Sequence, residues 1–296
     1  MKYNYKIIKI FEKKETRFTA LIEYNNKKAV YKKLTTDNIS LINKFNNEIN
    51  ILTVLNKPYV PKLYESGNDY IIMEYIESYN NEPKKFMKYI DENRINTIVN
   101  YLIDINTTKL KDIKPRKNHF LLNTYKTVLK LWINKYFKFF HIKVLFLMTY
   151  IYIKNKNLFA LLVATKGDFT EVNILINDDE VKFIDFDTYN SSGAWLQDAS
   201  YLLLHQDIEV KKLLWQKDFF KNYILKINKN YIGLNDDYIR FWLLYTSINQ
   251  FYIRHHQYKY NLIQIKKSEL EAKEEHIKYF LNNKFFNTFL SEVGFK

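Results

Sequence analysis

The chain is expected to fold into the α+β class, with a small strand-rich front and a larger helical back. Three observations predict this: β-type alternation over roughly the first 75 residues, helical periodicity from about Tyr79 onward, and a polar motif at 165–187. A strand-rich part followed by a helical part is typical of two lobes with a cleft. We therefore predict a β-rich lobe at residues 1–76 and a helical lobe at residues 77–296.

The front of the chain is predicted to contain antiparallel strands and one helix. The segments NYKIIKIFE and FTALIEYNNKKAVYKKL alternate in the way of strands, and Asn25 and Asn26 predict a hairpin turn between two of them. The segment DNISLINKFNNEINILTVLN carries a helical apolar stripe. Asp37 or Asn38 is its candidate cap, and Pro58 follows its end. PKLYES and DYIIMEYIE predict two further strands.

The back of the chain is predicted to be mainly helical. KFMKYIDENRINTIVNYLIDINTTKL is amphipathic, and TYKTVLKLWINKYFKFFHIKVLFLMTYIYI is a long, aromatic and basic helical run. LFALLVA predicts a short apolar strand that leads into the polar motif. The C-terminal third, including DYIRFWLLYTSINQFYIRHH and KSELEAKEEHIKYFLNN, is helical again. Trp195, Trp215 and Trp242 are expected to be core residues.

Composition indicates a globular protein with a weak preference for anionic partners. Apolar residues make up 47% of the 296 residues, enough to bury a sizeable core. The formal charge is +14, from 46 basic and 32 acidic residues, but only five of the basic residues are Arg. Arg is the preferred residue for bidentate phosphate recognition, and no nucleic-acid-binding module is visible. We therefore expect no specific nucleic-acid partner.

The cysteine content and the apolar segments of the sequence indicate the expected cellular compartment. The chain has no cysteine, which excludes disulfides, Cys-ligated zinc and thiol catalysis. MKYNYKIIKIFEKKE lacks the features of a signal peptide, and the most apolar run, Val144 to Ile153, is far shorter than the ~20 residues of a membrane-spanning helix. We expect a cytoplasmic protein. The aromatic, basic run is expected to form lobe core; the alternative is an interfacial face that docks on the inner membrane surface or on a lipid-linked acceptor.

Oxygen-bearing side chains cluster in TKGDFTEVNILINDDEVKFIDFD, residues 165–187. Asp168 and Asn173 are five residues apart in a loop, so both can face one pocket. NILINDDEVKFID predicts a hairpin, with Asp178 and Asp179 at its tip, that returns Asp185 to the neighbourhood of Asn173. Phosphoryl transfer needs a carboxylate near the acceptor hydroxyl and oxygen ligands for Mg²⁺. The motif therefore predicts metal-assisted phosphoryl transfer, with coincidental turn polarity as the alternative.

The motif resembles that of the protein-kinase-like superfamily, and more closely its small-molecule branch of aminoglycoside phosphotransferase and choline kinase-like enzymes. That branch carries His-Gly-Asp-(Leu/Phe)-x-x-x-Asn and then Ile-Asp-(Phe/Trp)-(Gly/Glu/Asp). This chain has Lys166-Gly167-Asp168-Phe169 through Asn173, then Ile184-Asp185-Phe186-Asp187. The resemblance implies a bilobal protein-kinase-like fold, with Asp168 as catalytic base and Asn173 and Asp185 as metal ligands. Asp198 matches the structural Asp that braces the catalytic loop; the alternative is a plain carboxylate at a helix N-terminus.

The front of the chain supplies the other parts that the resemblance implies. Lys32 in KKAVYKKL takes the place of the strand lysine that holds the α- and β-phosphates, and Lys33 is the alternative after a one-residue slip. Glu48, on the following helix, is the natural partner of Lys32. A surface ion pair is the alternative interpretation of these two residues. In YIIMEYIES, the resemblance implies hinge residues whose backbone groups bind adenine: Glu74, Tyr75 and Ile76.

Two departures from the family pattern stand out. The first hairpin, KIFEKKETRFTALIEY, has no glycine where protein kinases carry a Gly-rich phosphate loop, although the small-molecule branch often lacks that loop. Lys13, Lys14, Thr16 and Arg17 either contact phosphates there or form a solvated charged turn. Lys166 stands where the family usually has His, a residue that mainly supports the loop.

The resemblance implies an ATP- and Mg²⁺-dependent phosphotransferase that acts on the hydroxyl of a small molecule. A sugar, an amino-alcohol or a cell-envelope saccharide precursor is the expected acceptor. A protein kinase is less favoured because Gly167 precedes Asp168, because Asp187 replaces a Gly, and because no Ala-Pro-Glu segment follows. A non-catalytic pseudokinase or scaffold is the third hypothesis, supported by Lys166 and the glycine-free hairpin.

Overall fold

The computed structural model describes residues 5–78, 90–110, 119–205, 215–260 and 266–295. The chain divides into two compact units, Met1–Arg94 with Lys166–Tyr189, and Ile95–Thr165 with Asn190–Lys296. The first unit therefore combines the strand-rich front with the segment that carries the polar motif. The architecture is α+β, as predicted, and the lobe boundary after residue 76 stays a prediction.

The first unit is built on a five-stranded antiparallel sheet. Its strands are β1 (Tyr5–Lys13), β2 (Arg17–Tyr24), β3 (Lys27–Leu34), β4 (Leu63–Ser66) and β5 (Tyr70–Glu74), in the order β1-β2-β3-β5-β4. The predicted hairpin turn between β2 and β3 is confirmed, with φ of 52° at Asn25 and 60° at Asn26. Asn tolerates the left-handed region that a tight hairpin turn requires. The core on one face consists of Ala20, Ile22, Ala29, Tyr31 and Ile72.

Helix α1 (Ile39–Val54) connects β3 to β4, as predicted. Asn38 is its N-cap, because the side chain accepts hydrogen bonds from the backbone N–H groups of Ser40 and Leu41. The buried face of α1 is apolar except for Glu48. The helix therefore carries one carboxylate into the interior of the unit.

The polar motif forms the predicted hairpin. A single 3₁₀ turn (Glu171–Asn173) leads into β7 (Ile174–Ile176), which pairs antiparallel with β8 (Val181–Phe183). The tip is closed by Asn177, whose side-chain oxygen accepts hydrogen bonds from the N–H groups of Asp179 and Glu180. The prediction that Asp178 and Asp179 lie at the tip is confirmed. β8 therefore returns the chain to the level of Asn173.

Helices dominate the remainder of the described chain. They are α2 (Glu92–Thr107), α3 (Phe120–Ile133), α4 (Phe140–Lys154), α5 (Lys156–Phe159), α6 (Gln197–His205), α7 (Trp215–Asn230), α8 (Asp236–Lys259), α9 (Lys267–Leu281) and α10 (Asn283–Glu292). A two-stranded antiparallel sheet joins β6 (Leu162–Thr165) to β9 (Asn190–Ala194). Helix α8 is central, since α3, α4, α6 and α9 all pack on it. Trp195, Trp215 and Trp242 are buried, as predicted.

Two local predictions need correction, and one strand was not predicted. The long aromatic, basic run is broken into α3 and α4, because Asn134 caps α3 and Lys135 adopts a φ of 64°. The predicted strand LFALLVA starts too early, since Leu158 and Phe159 end α5 and the strand begins at Leu162. Strand β9 was not predicted, because its sequence NSSGA has no apolar alternation.

Two further points concern helices. The amphipathic helix predicted from KFMKYIDENRIN starts at residues that lie outside the described ones, and the described helix begins at Glu92. Among the described residues, no helix has both the length and the apolar character needed to cross a bilayer.

Candidate active site

Lys32 and Glu48 form a buried ion pair. β3 places Lys32 between Thr19 of β2 and Ile71 of β5. Its Nζ lies 2.7 Å from Oε1 of Glu48, and the two side chains are 14% and 5% exposed. The alternative of a surface ion pair is therefore wrong. Lys33 points elsewhere, with its Nζ 3.5 Å from an exposed carboxylate of Asp69.

Asp185 is the second carboxylate beside Lys32. Its Oδ1 lies 3.7 Å from Nζ of Lys32, and its backbone adopts a left-handed φ of 63°. Asp is among the few residues that occupy this region with little strain, and such conformations cluster at functional sites. Burial opposes the charged form of Lys32, but the carboxylates of Glu48 and Asp185 outweigh burial and raise the pKa of the ammonium.

Asp187 lies on the same loop, with a cation of α1 beside it. Nζ of Lys44 is 3.6 Å from Oδ2 of Asp187. Burial raises the pKa of the Asp187 carboxyl, and repulsion from Asp185 adds to this rise. Two neighbouring carboxylates that repel each other favour a cation between or beside them.

The loop from Asp185 to Tyr189 is held by an amide of α1. Nδ2 of Asn47 donates to the backbone carbonyls of Phe186, Asp187 and Tyr189, at 3.3, 3.0 and 3.1 Å. Asn47 was not predicted from the sequence. The sequence feature nearest to it is the neighbouring Glu48, a charged residue within an apolar stripe, and this feature does not predict a role for Asn47.

Asn173 is fixed beside Asp168. Its Nδ2 donates to the backbone carbonyl of Asp168 at 3.0 Å and to Oδ2 of the same residue at 3.3 Å. A carbonyl can only accept, so this contact identifies the amide nitrogen and leaves Oδ1 of Asn173 for another partner. The backbone N–H of Ile184 donates to the carbonyl of Asn173 at 3.0 Å, which brings the neighbouring Asp185 to the same place.

Lys166 ties the two loops of the motif together. The side chain is fully buried, and its Nζ donates to the carbonyl of Asp168 at 2.9 Å and to that of Asp185 at 3.0 Å. The ammonium also lies 5.4 Å from the ring centroid of Phe186. Lys166 therefore gives the loop the support that the resemblance assigns to His at this position.

Gly167 permits a close approach of Thr188 to Asp168. Gly167 has a φ of +94°, and a Cβ added there would lie 2.5 Å from the carbonyl oxygen of Thr188. The Thr188 hydroxyl accepts a hydrogen bond from the backbone N–H of Asp168 at 2.8 Å. Thr188 was missed by the sequence analysis, because no residue pattern distinguishes it from any other loop threonine.

The hinge residues follow the end of β5. The backbone N–H of Glu74 donates to Lys62 at 2.8 Å, and its carboxylate binds Nζ of Lys182 at 2.9 Å. Tyr75 is half-buried, and Ile76 is buried. The side chain of Glu74 is thus engaged within the protein. A role of hinge backbone groups at adenine stays a prediction.

Asp198 lies in the first turn of α6 and is fully buried. It belongs to the second compact unit, whereas Asp168 belongs to the first. Its bracing of the catalytic loop stays a prediction.

A cavity of about 260 Å³ opens next to the Lys32 ion pair. The charged groups that line it are four cations and three carboxylates: Lys14, Arg17, Lys32, Lys44, Glu48, Asp185 and Asp187. The glycine-free β1–β2 hairpin therefore presents cationic side chains to this cavity. Arg17 is anchored there through its Nε, 2.7 Å from Oε2 of Glu12.

The donor set suits Mg²⁺ when other oxygens complete it. Within the described part of the chain, no group of three or more His, Asp or Glu side chains is arranged to hold a metal ion by itself. Mg²⁺ in nucleotide sites is bound by one or two carboxylates together with phosphate oxygens and waters. The carboxylate of Asp185 and the free amide oxygen of Asn173 match this pattern.

By sequence alone, no protein-family model and no curated protein matches the chain. Solved structures do match its fold, and all of those compared below are small-molecule phosphotransferases by name. The architecture is therefore the protein-kinase-like fold, in the form that the small-molecule kinases have.

Three structures illustrate the likeness. The ADP-bound aminoglycoside phosphotransferase APH(2'')-Ib is 16% identical with a TM-score of 0.58, and the match covers 95% of each chain. A choline/ethanolamine kinase family protein from Mesorhizobium loti is 11% identical with a TM-score of 0.66, covering 100% of this chain and 94% of the other. A putative fructosamine-3-kinase from Thermobifida fusca is 13% identical with a TM-score of 0.57, covering 93% and 96%. At these identities, the likeness establishes the fold.

Proposed function

We propose that the protein is an ATP- and Mg²⁺-dependent phosphotransferase that phosphorylates a hydroxyl group of a small molecule. The observation that carries the proposal is the cluster of Lys32, Glu48 and Asp185, with Lys32 at 2.7 and 3.7 Å from the two carboxylates. A strand lysine paired with a helix glutamate beside a metal-binding aspartate is the arrangement that protein-kinase-type sites use for phosphoryl transfer from a nucleotide.

In this proposal Lys32 holds the α- and β-phosphates. Glu48 fixes the lysine, and the raised pKa keeps the ammonium charged at neutral pH. Asp185 and Asn173 would hold Mg²⁺, which when bound neutralises charge on the phosphoryl group. Lys32 and the cavity cations add to this stabilisation, which needs no covalent intermediate.

Asp168 is the proposed catalytic base. Its backbone is held by Thr188 and Lys166, and its carboxylate accepts a hydrogen bond from Asn173. These contacts limit the rotation of the side chain. A fixed carboxylate can orient the acceptor hydroxyl and accept its proton as the phosphoryl group is transferred.

The β1–β2 hairpin is proposed to bind phosphates through side chains. Lys14 and Arg17 line the cavity together with Lys32 and Lys44. A Gly-rich loop offers backbone N–H groups to phosphates, whereas this hairpin offers an ammonium and a planar guanidinium. The missing glycines are therefore compatible with nucleotide binding.

A small molecule is the proposed acceptor class, and a sugar or an amino-alcohol is the preferred example. This proposal is supported by the names of the structures that share the fold, which are kinases of aminoglycosides, choline or ethanolamine, and fructosamine. The segment Ile184 to Asp187, which has Asp in place of a glycine, also favours this branch over protein kinases.

The test measures phosphate transfer from labelled ATP to a panel of sugars, amino-alcohols and peptides. We expect transfer to a small hydroxyl compound, and a loss of at least about 10³-fold in kcat/KM for Asp185→Ala, because the main metal ligand is removed. Asp179→Ala is the matched control, since Asp179 lies exposed at the hairpin tip.

Three results would contradict the proposal. An Asp185→Ala variant with the wild-type rate would remove the metal assignment. Transfer to peptides alone would indicate a protein kinase. An absence of both turnover and any thermal shift with ATP and Mg²⁺ would indicate a non-catalytic scaffold.

A further inference from the structure

Helix α3 carries an exposed apolar stripe. Leu122, Leu129 and Trp132 follow one another at helical spacing on its outer side, and Trp132 is 65% exposed. The opposite side of α3 is buried and includes Val128 and Leu131. An amphipathic helix of a globular protein normally presents polar residues on its outer side. Helix α3 does not.

Helix α4 repeats this pattern. Phe146, Tyr150 and Ile153 are exposed at helical spacing, and Phe146 is 75% exposed. Val144, Met148 and Ile151 are fully buried on the other side. The two helices therefore carry matching apolar stripes, each with at least one exposed aromatic ring.

The two stripes form one surface. Both helices pack on α8 through their buried sides: the ring of Phe120 in α3 lies 4.8 Å from Trp242, and that of His141 in α4 lies 5.4 Å from Phe251. The stripes therefore point away from α8 on both helices. The hydroxyls of Tyr125 and Thr149, 2.8 Å apart, join the helices side by side. We call this surface the α3–α4 face, defined by Leu122, Leu129, Trp132, Phe146, Tyr150 and Ile153.

The charges on α3, α4 and the segments next to them have a single sign. Between Asp112 and Asp168 the sequence has no carboxylate side chain, whereas residues 119–161 contain seven lysines. Among the described residues, only Lys138 and Lys154 of the seven have a carboxylate within 4 Å, from Glu274 and Asp237. Five uncompensated lysines therefore accompany the apolar stripes, and Lys143 lies within the stripe of α4 itself.

An anionic lipid surface is the occupant that satisfies both features. Exposed aromatic and aliphatic side chains insert at the boundary of headgroups and acyl chains, and lysines attract anionic headgroups. A second copy of the chain suits the face poorly, because a two-fold contact would bring two copies of the same positively charged surface together. A nucleic acid would match the lysines but leave Phe146 and Ile153 without an apolar partner.

We propose that the α3–α4 face docks the protein on anionic bilayers as a peripheral protein. Trp132, Phe146 and Ile153 enter the interfacial layer, and the surrounding lysines contact the headgroups. The proposal rests on the exposed stripes and the charge pattern, and it is independent of the phosphotransferase chemistry. Its test is therefore a binding measurement without nucleotide.

The first experiment uses the full chain with vesicles of phosphatidylcholine alone or with 30% phosphatidylglycerol. We expect binding to the anionic vesicles, at least tenfold weaker binding to the neutral ones, and a loss of binding at high salt. Trp132 is the only exposed tryptophan of the four, so its fluorescence should shift to shorter wavelength on binding. Trp132→Phe should remove this shift while most of the binding remains.

The second experiment compares variants at exposed positions. Phe146→Gln with Ile153→Gln should lower partition into anionic vesicles at least tenfold, whereas Ile39→Gln, at a 73% exposed position on α1, should not. Lys126→Gln with Lys143→Gln should weaken binding more than Lys27→Gln with Lys229→Gln. Circular dichroism should show the same helix content in every variant, since all seven positions are exposed.

Several outcomes would overturn the proposal. Equal binding to neutral and anionic vesicles would remove the role of the lysines. Binding that Phe146→Gln with Ile153→Gln leaves intact, or an unshifted Trp132 emission on bound vesicles, would place the contact elsewhere. A dimer in sedimentation that this double variant dissociates, together with no vesicle binding, would identify the face as an interface between copies.

Discussion

Two fully buried lysines serve different regions of the molecule. Lys166, in the first unit, donates to the carbonyls of Asp168 and Asp185. Lys273, on α9 in the second unit, donates to the carbonyls of Leu204 and His205 at the end of α6. Both ammonium groups satisfy backbone carbonyls. Lys273 caps a helix C-terminus, where a cation is favoured by the helix dipole, whereas Lys166 joins two loops that carry candidate active-site carboxylates.

This difference indicates that the role of a buried lysine depends on the role of the groups that it binds. The carbonyls bound by Lys273 belong to the last residues of α6, none of which is proposed for the site, so the contact is expected to stabilise the fold. The carbonyls bound by Lys166 belong to the residues proposed as base and metal ligand. Lys32 is a third case, because its partners are carboxylates and its ammonium can also meet phosphate.

Among these three lysines, the largest effect is expected at Lys32. Lys32→Met should lower kcat/KM by 10²- to 10³-fold, or roughly 3–4 kcal/mol of transition-state stabilisation, because the phosphates lose their cation. It should also lower the melting temperature, since Glu48 is left buried without a partner. Kinetics and thermal unfolding measure the two effects.

The double variant Lys32→Met with Glu48→Gln sharpens this prediction. It should recover most of the lost stability, because no carboxylate is left unpaired, and none of the lost activity. Lys33→Met, on the same strand with an exposed partner, is the control. Recovery of activity in the double variant would show that Lys32 does not bind phosphate.

A smaller effect is expected at Lys166, and it tests the comparison directly. Lys166→Met should lower kcat by about tenfold and also reduce stability, because two carbonyls near the site lose a donor. Lys273→Met should reduce stability to a similar extent, with kcat unchanged at a temperature where both variants are folded.

Partial recovery of kcat in a third variant distinguishes a positioning role of Lys166 from a loss of global stability. Lys166→His introduces the residue that the resembled small-molecule kinases usually carry at this position, so it should recover part of kcat. Equal losses of kcat in Lys166→Met and Lys273→Met would instead show that both lysines act only through global stability.

The smallest effect on activity, and a distinct effect of pH on stability, is expected at His141. Burial lowers the pKa of His141 from 6.5 to about 4, among the rings of Phe137, Phe140 and Phe251. Because the folded state holds His141 in its neutral form, protonation of this side chain favours the unfolded state. The contribution of His141 to stability is therefore fully present above pH 6.5. This contribution falls as the pH drops from 6.5 toward 4.

The expected loss is up to about 2 kcal/mol between pH 7.5 and pH 5, measured by urea unfolding. His141→Gln should flatten this pH dependence, while His119→Gln, at an exposed position, should leave it unchanged. An identical slope in His141→Gln and the wild type would locate the acid sensitivity elsewhere.

The sequence predicted those site residues that lie on regular elements. Strand alternation places Lys32 and Lys33 on opposite faces, and the family resemblance favoured Lys32. The helical stripe of α1 places Glu48 on the buried side. The hairpin between Asn173 and Asp185 could be predicted because its tip has turn residues and its strands are apolar. Periodicity determines the direction of these side chains before any tertiary contact forms.

Residues that bind loop carbonyls could not be predicted in this way. Asn47 and Lys166 have carbonyl partners whose positions depend on the left-handed turn at Asp185. The break between α3 and α4 also escaped prediction, because it occurs at Asn134 and Lys135 without glycine or proline. Sequence periodicity predicts the direction of side chains on helices and strands, but it does not predict irregular backbone conformations.

Helix α1 contacts the segment from Asp185 to Tyr189 in three ways. Lys44 pairs with Asp187, and Asn47 donates to backbone carbonyls. Glu48 holds Lys32, whose ammonium lies beside Asp185. A displacement of α1 would therefore change the position of the proposed metal-binding carboxylate. A molecule whose binding displaces α1 would change the cation affinity, and by thermodynamic reciprocity the cation would change the affinity for that molecule by the same factor. The outer surface of α1 is thus a place from which catalysis could be controlled at a distance.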